Sequence, residues 1–216
     1  LNENLKPDQV KVSSSLPIDY HTVIREGLES LLGDIRARYG YDGKSFVDVE
    51  GLNDREVAYA CGIGYYGKHA QIISPYLGSH FNIGYLMIDG VLTEDPEVLD
   101  DCGTCNACTL ACPTGAIQGN YLVDAHRCLS YLTQKKHLKV SEEQFLNSCV
   151  YGCDICQLVC PKNIVFESDL RHIFDSQALL EMSNRQFKKV YANRDFSWRG
   201  ASIIRRNIIL SSKNKE

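Results

Sequence analysis

No apolar run in the sequence approaches the ~18 residues that a membrane-spanning helix needs, so no segment reads as a span. The first residues, Leu1-Asn2-Glu3-Asn4, lack the basic-then-apolar pattern of a secretory signal peptide. An initiator Met is absent too, which sets the expectation of a fragment or a trimmed chain. Strong charge of one sign is lacking: the net charge is −4, so composition does not advertise a polyanion as partner. No low-complexity linker divides the 216 residues, and a compact chain of one or two domains is expected. The hydrophobic content of 44% and charged content of 23% are those of an ordinary globular protein.

What the chain does have is cysteine, ten in all. Without a secretion signal, metal explains them better than disulfides do, and a cytoplasmic location follows. Three zones emerge, and together they read as an α+β fold. Residues 1–100 mix helix and strand. Asp19 is placed to cap a helix carrying Val23, Ile24, Leu28, Leu31, Leu32 and Ile35 at helical spacing. A strand is expected over 46–49, a helix over 54–61 ended by Gly62, and a second strand over 82–89 closed by the Asp89-Gly90 turn. Residues 101–163 hold nine of the ten cysteines. Residues 164–216 read as a helical tail with two apolar stripes: Leu170, Ile173 and Phe174, then Ile203, Ile204, Ile208 and Ile209. From Arg194 to Glu216 there are six basic residues against two acidic ones, a solvated basic face on charge alone.

Cys102, Cys105, Cys108, Cys112 and Pro113 spell C-x2-C-x2-C-x3-C-P, the bacterial ferredoxin run. Its first three thiolates hold one [4Fe–4S] cluster and its fourth reaches the other cluster of a two-cluster module. The short gaps wrap a tight loop around one cubane, and the proline fixes the direction in which the chain leaves. A second run, Cys153, Cys156, Cys160 and Pro161, is one ligand short, because Val150 stands where the fourth cysteine is expected. Cys128 and Cys149 are the candidates to complete it. Cys149 is one residue farther from Cys153 than the ferredoxin loop allows, whereas Cys128 lies between the two halves and is free to fold back, which favours it. One cluster is then assigned to Cys102, Cys105, Cys108 and Cys160, the other to Cys112, Cys128, Cys153 and Cys156. Zinc knuckles do not use three cysteines in x2 steps closed by x3-C-P. Cys61 and Cys149 are left as ordinary buried thiols.

Gly62, Gly64 and Gly67 form G-x-G-x-x-G, but a helix precedes it and Ile72-Ile73-Ser74-Pro75 follows, so the dinucleotide reading is rejected. The surrounding residues carry a different signal. Asp19-Tyr20-His21, Phe46-Val47-Asp48, Gly67-Lys68-His69, the stretch from Cys102 to Ile117, Asp124 through Thr133, Tyr151 through Gln157, Trp198-Arg199-Gly200 and Arg206-Asn207 together resemble the epoxyqueuosine reductases, which complete queuosine in tRNA. The resemblance covers nearly the whole chain and places a cluster ligand at Cys128. It implies two [4Fe–4S] clusters and base-off cobalamin. It implies electrons from an external flavodoxin- or ferredoxin-type reductant, and a tRNA carrying epoxyqueuosine as substrate. Consistent with base-off binding, a D-x-H-x-x-G motif is absent: Asp19-x-His21 is followed by Ile24 where the glycine would stand.

By the resemblance Asp48 is the proton donor, and opening an epoxide does require protons from a shielded carboxyl. Lys68, His69, Ile72, Ile83 and Ser130 fall near the cobalamin, with Asp48 beside them. Lys135, Lys136, Arg199, Arg205 and Arg206 are candidates for tRNA phosphates. The zones become a partial cobalamin-binding α/β domain, a ferredoxin-like two-cluster module and the helical tail, in a monomer with no membrane attachment. The chain departs from the family in three respects. About 80–90 residues that precede Asp19-Tyr20-His21 in the family are missing, more than the scatter of domain boundaries allows. Tyr85 stands where the family has Glu, and Lys162 where it has Trp. The alternative function is a two-cluster electron carrier with no substrate chemistry of its own, which needs neither the 46–84 segment nor the basic tail.

Overall fold

The computed structural model describes residues 5–13, 19–163 and 172–214. The architecture is α+β, built from small sheets. It runs β1 (Gln9–Val12), α1 (Tyr20–Tyr39), β2 (Gly43–Phe46), α2 (Asp54–Ala60), β3 (Tyr65–Tyr66), β4 (Ile72–Ile73) and β5 (Tyr85–Ile88). The cysteine-rich stretch holds α3 (Ala107–Ala111), β6 (Ile117–Gly119), β7 (Leu122–Val123), α4 (Leu129–Gln134), α5 (Val140–Glu143), β8 (Cys149–Tyr151) and α6 (Ile155–Leu158). β9 (Ile173–Asp175), α7 (Ser176–Glu181), α8 (Asn184–Val190) and α9 (Ala201–Lys213) follow.

Asp19 caps α1 as expected: its carboxylate accepts from the His21 backbone N–H at 3.0 Å. The helix stops at Gly40, whose φ of 74° is open to glycine, and the Gly40 N–H returns to the Arg36 carbonyl. Of the expected apolar stripe only Leu32 is fully buried, while Val23 and Leu31 face solvent. The reason is the slightness of the neighbour, since α1 packs on the two-stranded antiparallel sheet of β2 and β5. Close approach there requires Gly84: a Cβ would stand 2.3 Å from the Ile24 Cγ2.

The strand expected over 46–49 lies earlier, at β2. The chain turns out of the sheet after Phe46, and Asp48 takes a left-handed φ of 49°. The 82–89 strand is β5, four residues within that span. α2 is capped by Asn53, whose side-chain oxygen accepts from Arg55 N–H at 3.2 Å.

The main sheet is ordered β8-β1-β9, with β1 parallel to β8 and antiparallel to β9. A strand near the start of the chain thus sits between one from the cysteine-rich stretch and one from the tail. The largest core forms behind it from Val10, Val12, Val150, Tyr151, Leu179, Phe187, Phe196, Ile204 and Ile208. Among the described residues the regular structure of the tail is helical apart from β9, and this corrects the first of its two expected stripes. Ile173 and Phe174 lie in a strand that completes the sheet, and Leu170 lies outside the described residues. The second stripe is helical, with Ile203, Ile204 and Ile208 buried and Ile209 turned outward. Asn207 is buried among them. Its amide donates to the carbonyls of Thr133 and Val150 at 2.7 and 2.8 Å, which ties α9 to the cysteine-rich stretch.

Candidate metal centres and the adjoining cleft

Cys102 and Cys105 occupy the loop before α3, Cys108 lies in that helix, and Cys112 ends it. Cys128 stands between a 3₁₀ turn at Ala125–Arg127 and α4, while Cys153, Cys156 and Cys160 surround and occupy α6. α3 packs against α6, which brings the two runs together. Cys108 senses the charge of Cys102 and Cys160, and Cys160 that of Cys102 and Cys105. Cys153 senses Cys128 and Cys112, and Cys156 senses Cys153, Cys128, Cys108 and Cys112. Cys102, Cys105, Cys108 and Cys160 are thus linked to one another, as are Cys112, Cys128, Cys153 and Cys156, with Cys108 and Cys156 joining the two groups.

Burial pushes the Cys153 thiol up to about 11 and that of Cys156 to about 12, so these groups become thiolates only with a compensating cation. Cys112 goes the other way. Burial raises it, but the backbone N–H groups of Ile117, Thr114 and Ala116 and the Thr114 hydroxyl outweigh that and favour the thiolate. Among the described residues, no three of His, Cys, Asp and Glu converge closely enough to hold a single metal ion. Of the two cysteines set aside, Cys149 is a buried thiol that donates to the carbonyls of Tyr151 and Gly152 at 3.4 Å each. Cys61 corrects the expectation of a buried thiol: it caps the C-terminal end of α2 and is exposed.

The hairpin of β3 and β4 joins the cysteines to a second site. Lys68, in its turn, is buried, and its ammonium donates to the carbonyls of Gly103 and Cys105 at 2.8 Å each and to Asn106 Oδ1 at 3.2 Å. Its backbone N–H points at Cys102 Sγ, 3.4 Å away. His69 is buried as well. Its Nδ1 accepts from the Gln71 N–H at 3.2 Å, its Nε2 has no partner, and burial drives its pKa down to about 4. Ile72 is buried in β4. Ser130 is half-buried in α4, where its carbonyl accepts from Thr133 and Gln134.

Gln71, in the turn of this hairpin, also lines a cleft of about 520 Å³, together with Phe81, Ile83, Asp48, Asp54 and Tyr20. Of the residues expected near cobalamin, only Asp48 and Ile83 line it. Asp48 is closely held. Its Oδ2 accepts from the Tyr20 hydroxyl and lies 3.2 Å from His21 Nε2, and its backbone N–H donates to Asp54 Oδ2 at 3.1 Å. Burial and then the hydrogen bond to Asp48 push the Tyr20 phenol far up, so it remains a donor. Burial and the neighbouring Asp48 carboxyl likewise raise Asp54. Sequence reasoning singled out Asp48 and gave Asp54 only as the start of the helix over 54–61. It assigned no role to Tyr20 and His21, whose one signal was the Asp19-Tyr20-His21 stretch of the resemblance.

The basic residues are largely engaged within the chain. Lys135 pairs with Glu142 at 2.7 Å. Arg206 donates to the carbonyls of Lys135 and Lys136 at 2.6 and 3.0 Å. Arg205 donates to the Met182 carbonyl and to Asn184 Oδ1. The Arg199 guanidinium lies 3.7 Å from the centre of the exposed Trp198 ring, and Lys136 is exposed.

Residues 101–163 match the family described as a 4Fe-4S double cluster binding domain. The chain is 36% identical over 203 residues to an epoxyqueuosine reductase of Staphylococcus aureus, covering 89% of this chain and 53% of that one. It is 41% identical over 167 residues to that of Aliivibrio fischeri, covering 74% and 44%. Among solved structures, an epoxyqueuosine reductase from Streptococcus thermophilus superposes with a TM-score of 0.88 at 33% identity, over 99% of this chain and 60% of that one. An epoxyqueuosine reductase with an epoxyqueuosine-modified tRNA-Tyr stem loop gives 0.87 at 34%, over 95% and 58%. The chain spans about half the length of the curated relatives it matches. Among the described residues no helix is long and apolar enough to cross a membrane.

Proposed function

This chain is a homologue of the epoxyqueuosine reductases, and on that premise we propose that it reduces epoxyqueuosine to queuosine in the tRNA anticodon wobble nucleotide. The reading rests above all on one arrangement. A carboxyl held by a phenol, an imidazole and a second carboxyl lies in a cleft to which the hairpin that grips the Cys102 loop contributes Gln71. An electron carrier has no use for such a cleft.

The residues fit two [4Fe–4S] clusters, one on Cys102, Cys105, Cys108 and Cys160, the other on Cys112, Cys128, Cys153 and Cys156. The support is their linkage into two groups and the N–H groups facing Cys102 and Cys112. Residues 101–163 would then form the ferredoxin-like module, residues 1–100 part of the cobalamin-binding portion, and 164–216 the tail. A corrinoid is larger than the cleft, so this chain supplies one wall of its site, with Ile83 and Phe81 as apolar surface and Asp48 beside it. Bound cobalamin would supply the reducing centre that acts on the epoxide.

The overall change consumes two electrons and two protons and releases the epoxide oxygen as water. The clusters, when bound, would pass electrons one at a time from an external reductant. Asp48 delivers a proton to the departing oxygen, and Tyr20 and Asp54 hold its carboxyl in place. Lys68 holds the loop of the first cluster rather than reaching outward, while Lys136 and Arg199 remain the candidates best placed to meet tRNA phosphate. A tRNA partner is supported by the stem loop bound to a homologue.

The test is anaerobic reconstitution with iron, sulfide and cobalamin, followed by incubation with epoxyqueuosine-containing tRNA and mass spectrometry of its nucleosides. Conversion to queuosine that disappears in Asp48→Asn is the expected result. No conversion by the reconstituted wild type overturns the reading.

A further inference from the structure

Asp48 can deliver one proton per encounter and must then be reloaded. Three side chains of the structure face its carboxyl: Tyr20 and His21 from the start of α1, and Asp54 from α2. Tyr20 is a poor source, because burial and its bond to Asp48 hold its proton more tightly than an ordinary phenol does. Asp54 sits on the buried side of the pair, with one carboxylate oxygen out of contact with any partner. His21 differs from both. Its Nε2 lies 3.2 Å from Asp48 Oδ2, its Nδ1 lies 2.7 Å from Asp19 Oδ1, and a third of its side chain is exposed to water. The Asp19 carboxylate is held below its usual range: burial opposes this, and the hydrogen bonds from His21 prevail.

Asp19, His21 and Asp48 thus stand in a line from the helix cap to the cleft, hydrogen-bonded between Asp19 and the ring and with 3.2 Å between Nε2 and the Asp48 carboxyl. The cap fixes the ring twice over, since the same Asp19 oxygen accepts the His21 backbone N–H at 3.0 Å and contacts the ring at Nδ1. A carboxylate at Nδ1 keeps a proton on that nitrogen and leaves Nε2 as the site of exchange.

We infer that His21, oriented by Asp19, is the relay through which Asp48 regains its proton from solvent. The inference rests on the reductase reading for the use of that proton. The step balances simply. Asp48 loses its proton to the substrate oxygen, and the His21 imidazolium passes the proton on Nε2 to the Asp48 carboxylate. The neutral ring, still protonated at Nδ1 against Asp19, then takes a proton from water at Nε2. No electrons move in this step. The outer charges that bear on the line are Arg25 beside Asp19, Arg55 and Tyr85 beside Asp54, and Tyr151 beside Tyr20.

Two measurements test the relay. In the chain without cobalamin, the His21 ring signals are compared by NMR in the wild type and in Asp48→Asn. Loss of the facing carboxylate is expected to displace the ring resonances, and resonances that do not move overturn the contact on which the relay depends. In the reconstituted enzyme, His21→Ala and His21→Gln are both expected to be slower by about 100-fold, with added imidazole restoring His21→Ala but not His21→Gln. Wild-type turnover in His21→Gln would show that a hydrogen-bond donor suffices and would overturn the relay. So would a slow His21→Ala that imidazole fails to rescue. A wild type that does not convert epoxyqueuosine sinks the reductase reading instead, whatever the NMR comparison shows.

Discussion

The backbone N–H of Lys68 points at the sulfur of Cys102 across 3.4 Å, and the same residue's buried ammonium binds three oxygens of the loop that follows. One residue therefore ties the first cysteine loop to the hairpin that contributes Gln71 to the cleft. Lys68→Met keeps the length of the side chain and removes all three charge-assisted bonds, each worth about 1.5–3 kcal/mol. The loop 102–106 is expected to loosen, and reconstituted iron to fall from about eight per chain towards four. Iron and sulfide assays on the variant check this.

Cys128 and Cys149 separate cleanly. Cys128 faces the charges of Cys153 and Cys156, whereas Cys149 is sealed in β8 and bonded to two carbonyls. Cys128→Ala is expected to lose one cluster and Cys149→Ala to retain about eight irons. Parallel iron counts and electron paramagnetic resonance of the reduced proteins decide it, and equal loss in both would refute the assignment.

Asn207 is buried and satisfied at both ends of its amide, donating to Thr133 and Val150 and accepting from Arg206. Asn207→Leu leaves two buried carbonyls and a guanidinium without their partner. At about 1–3 kcal/mol for each unsatisfied group, a loss of about 3 kcal/mol or more is expected. The change should appear in a denaturant midpoint, and a variant as stable as wild type would count against the tie between α9 and the cysteine-rich stretch.

His69 gives the protein an acid-sensitive term. Burial lowers its folded pKa to about 4, against an ordinary value of 6.5. Below pH 6.5 the unfolded chain binds a proton that the folded chain refuses, so this residue's contribution is intact above that value. It is lost progressively as pH falls to about 4, with a slope approaching about 1.4 kcal/mol per pH unit. His69→Gln is expected to show a flatter stability profile between pH 4 and 6.5 than wild type, measured by denaturant unfolding of both proteins in the same metal state.

The parts legible in the sequence were those that depend on neighbours along the chain. The Asp19 cap and the ferredoxin spacing are local matters of hydrogen-bond reach and loop length. The strand at 46–49 was misplaced because the apolar residues Phe46 and Val47 continue past the point where the backbone turns at Asp48. Ile173 and Phe174 read as helix because a three-residue strand carries too little period to announce itself. Lys68 was expected near the cobalamin, since nothing adjacent to it reveals the carbonyls of Gly103 and Cys105, more than thirty residues away.

By itself, then, the sequence determined that this protein's cysteines are built for metal and that seven of them fall into ferredoxin-type runs, because a thiolate's reach to a cubane is set by residues a few positions apart. The tertiary structure decided what those runs are joined to. It alone brings β1 between β8 and β9, packs α3 on α6 so that the two cysteine runs meet, and stands Tyr20 and His21 over Asp48. Such contacts join residues distant in sequence, and they form only when burial of the core fixes where each element lies.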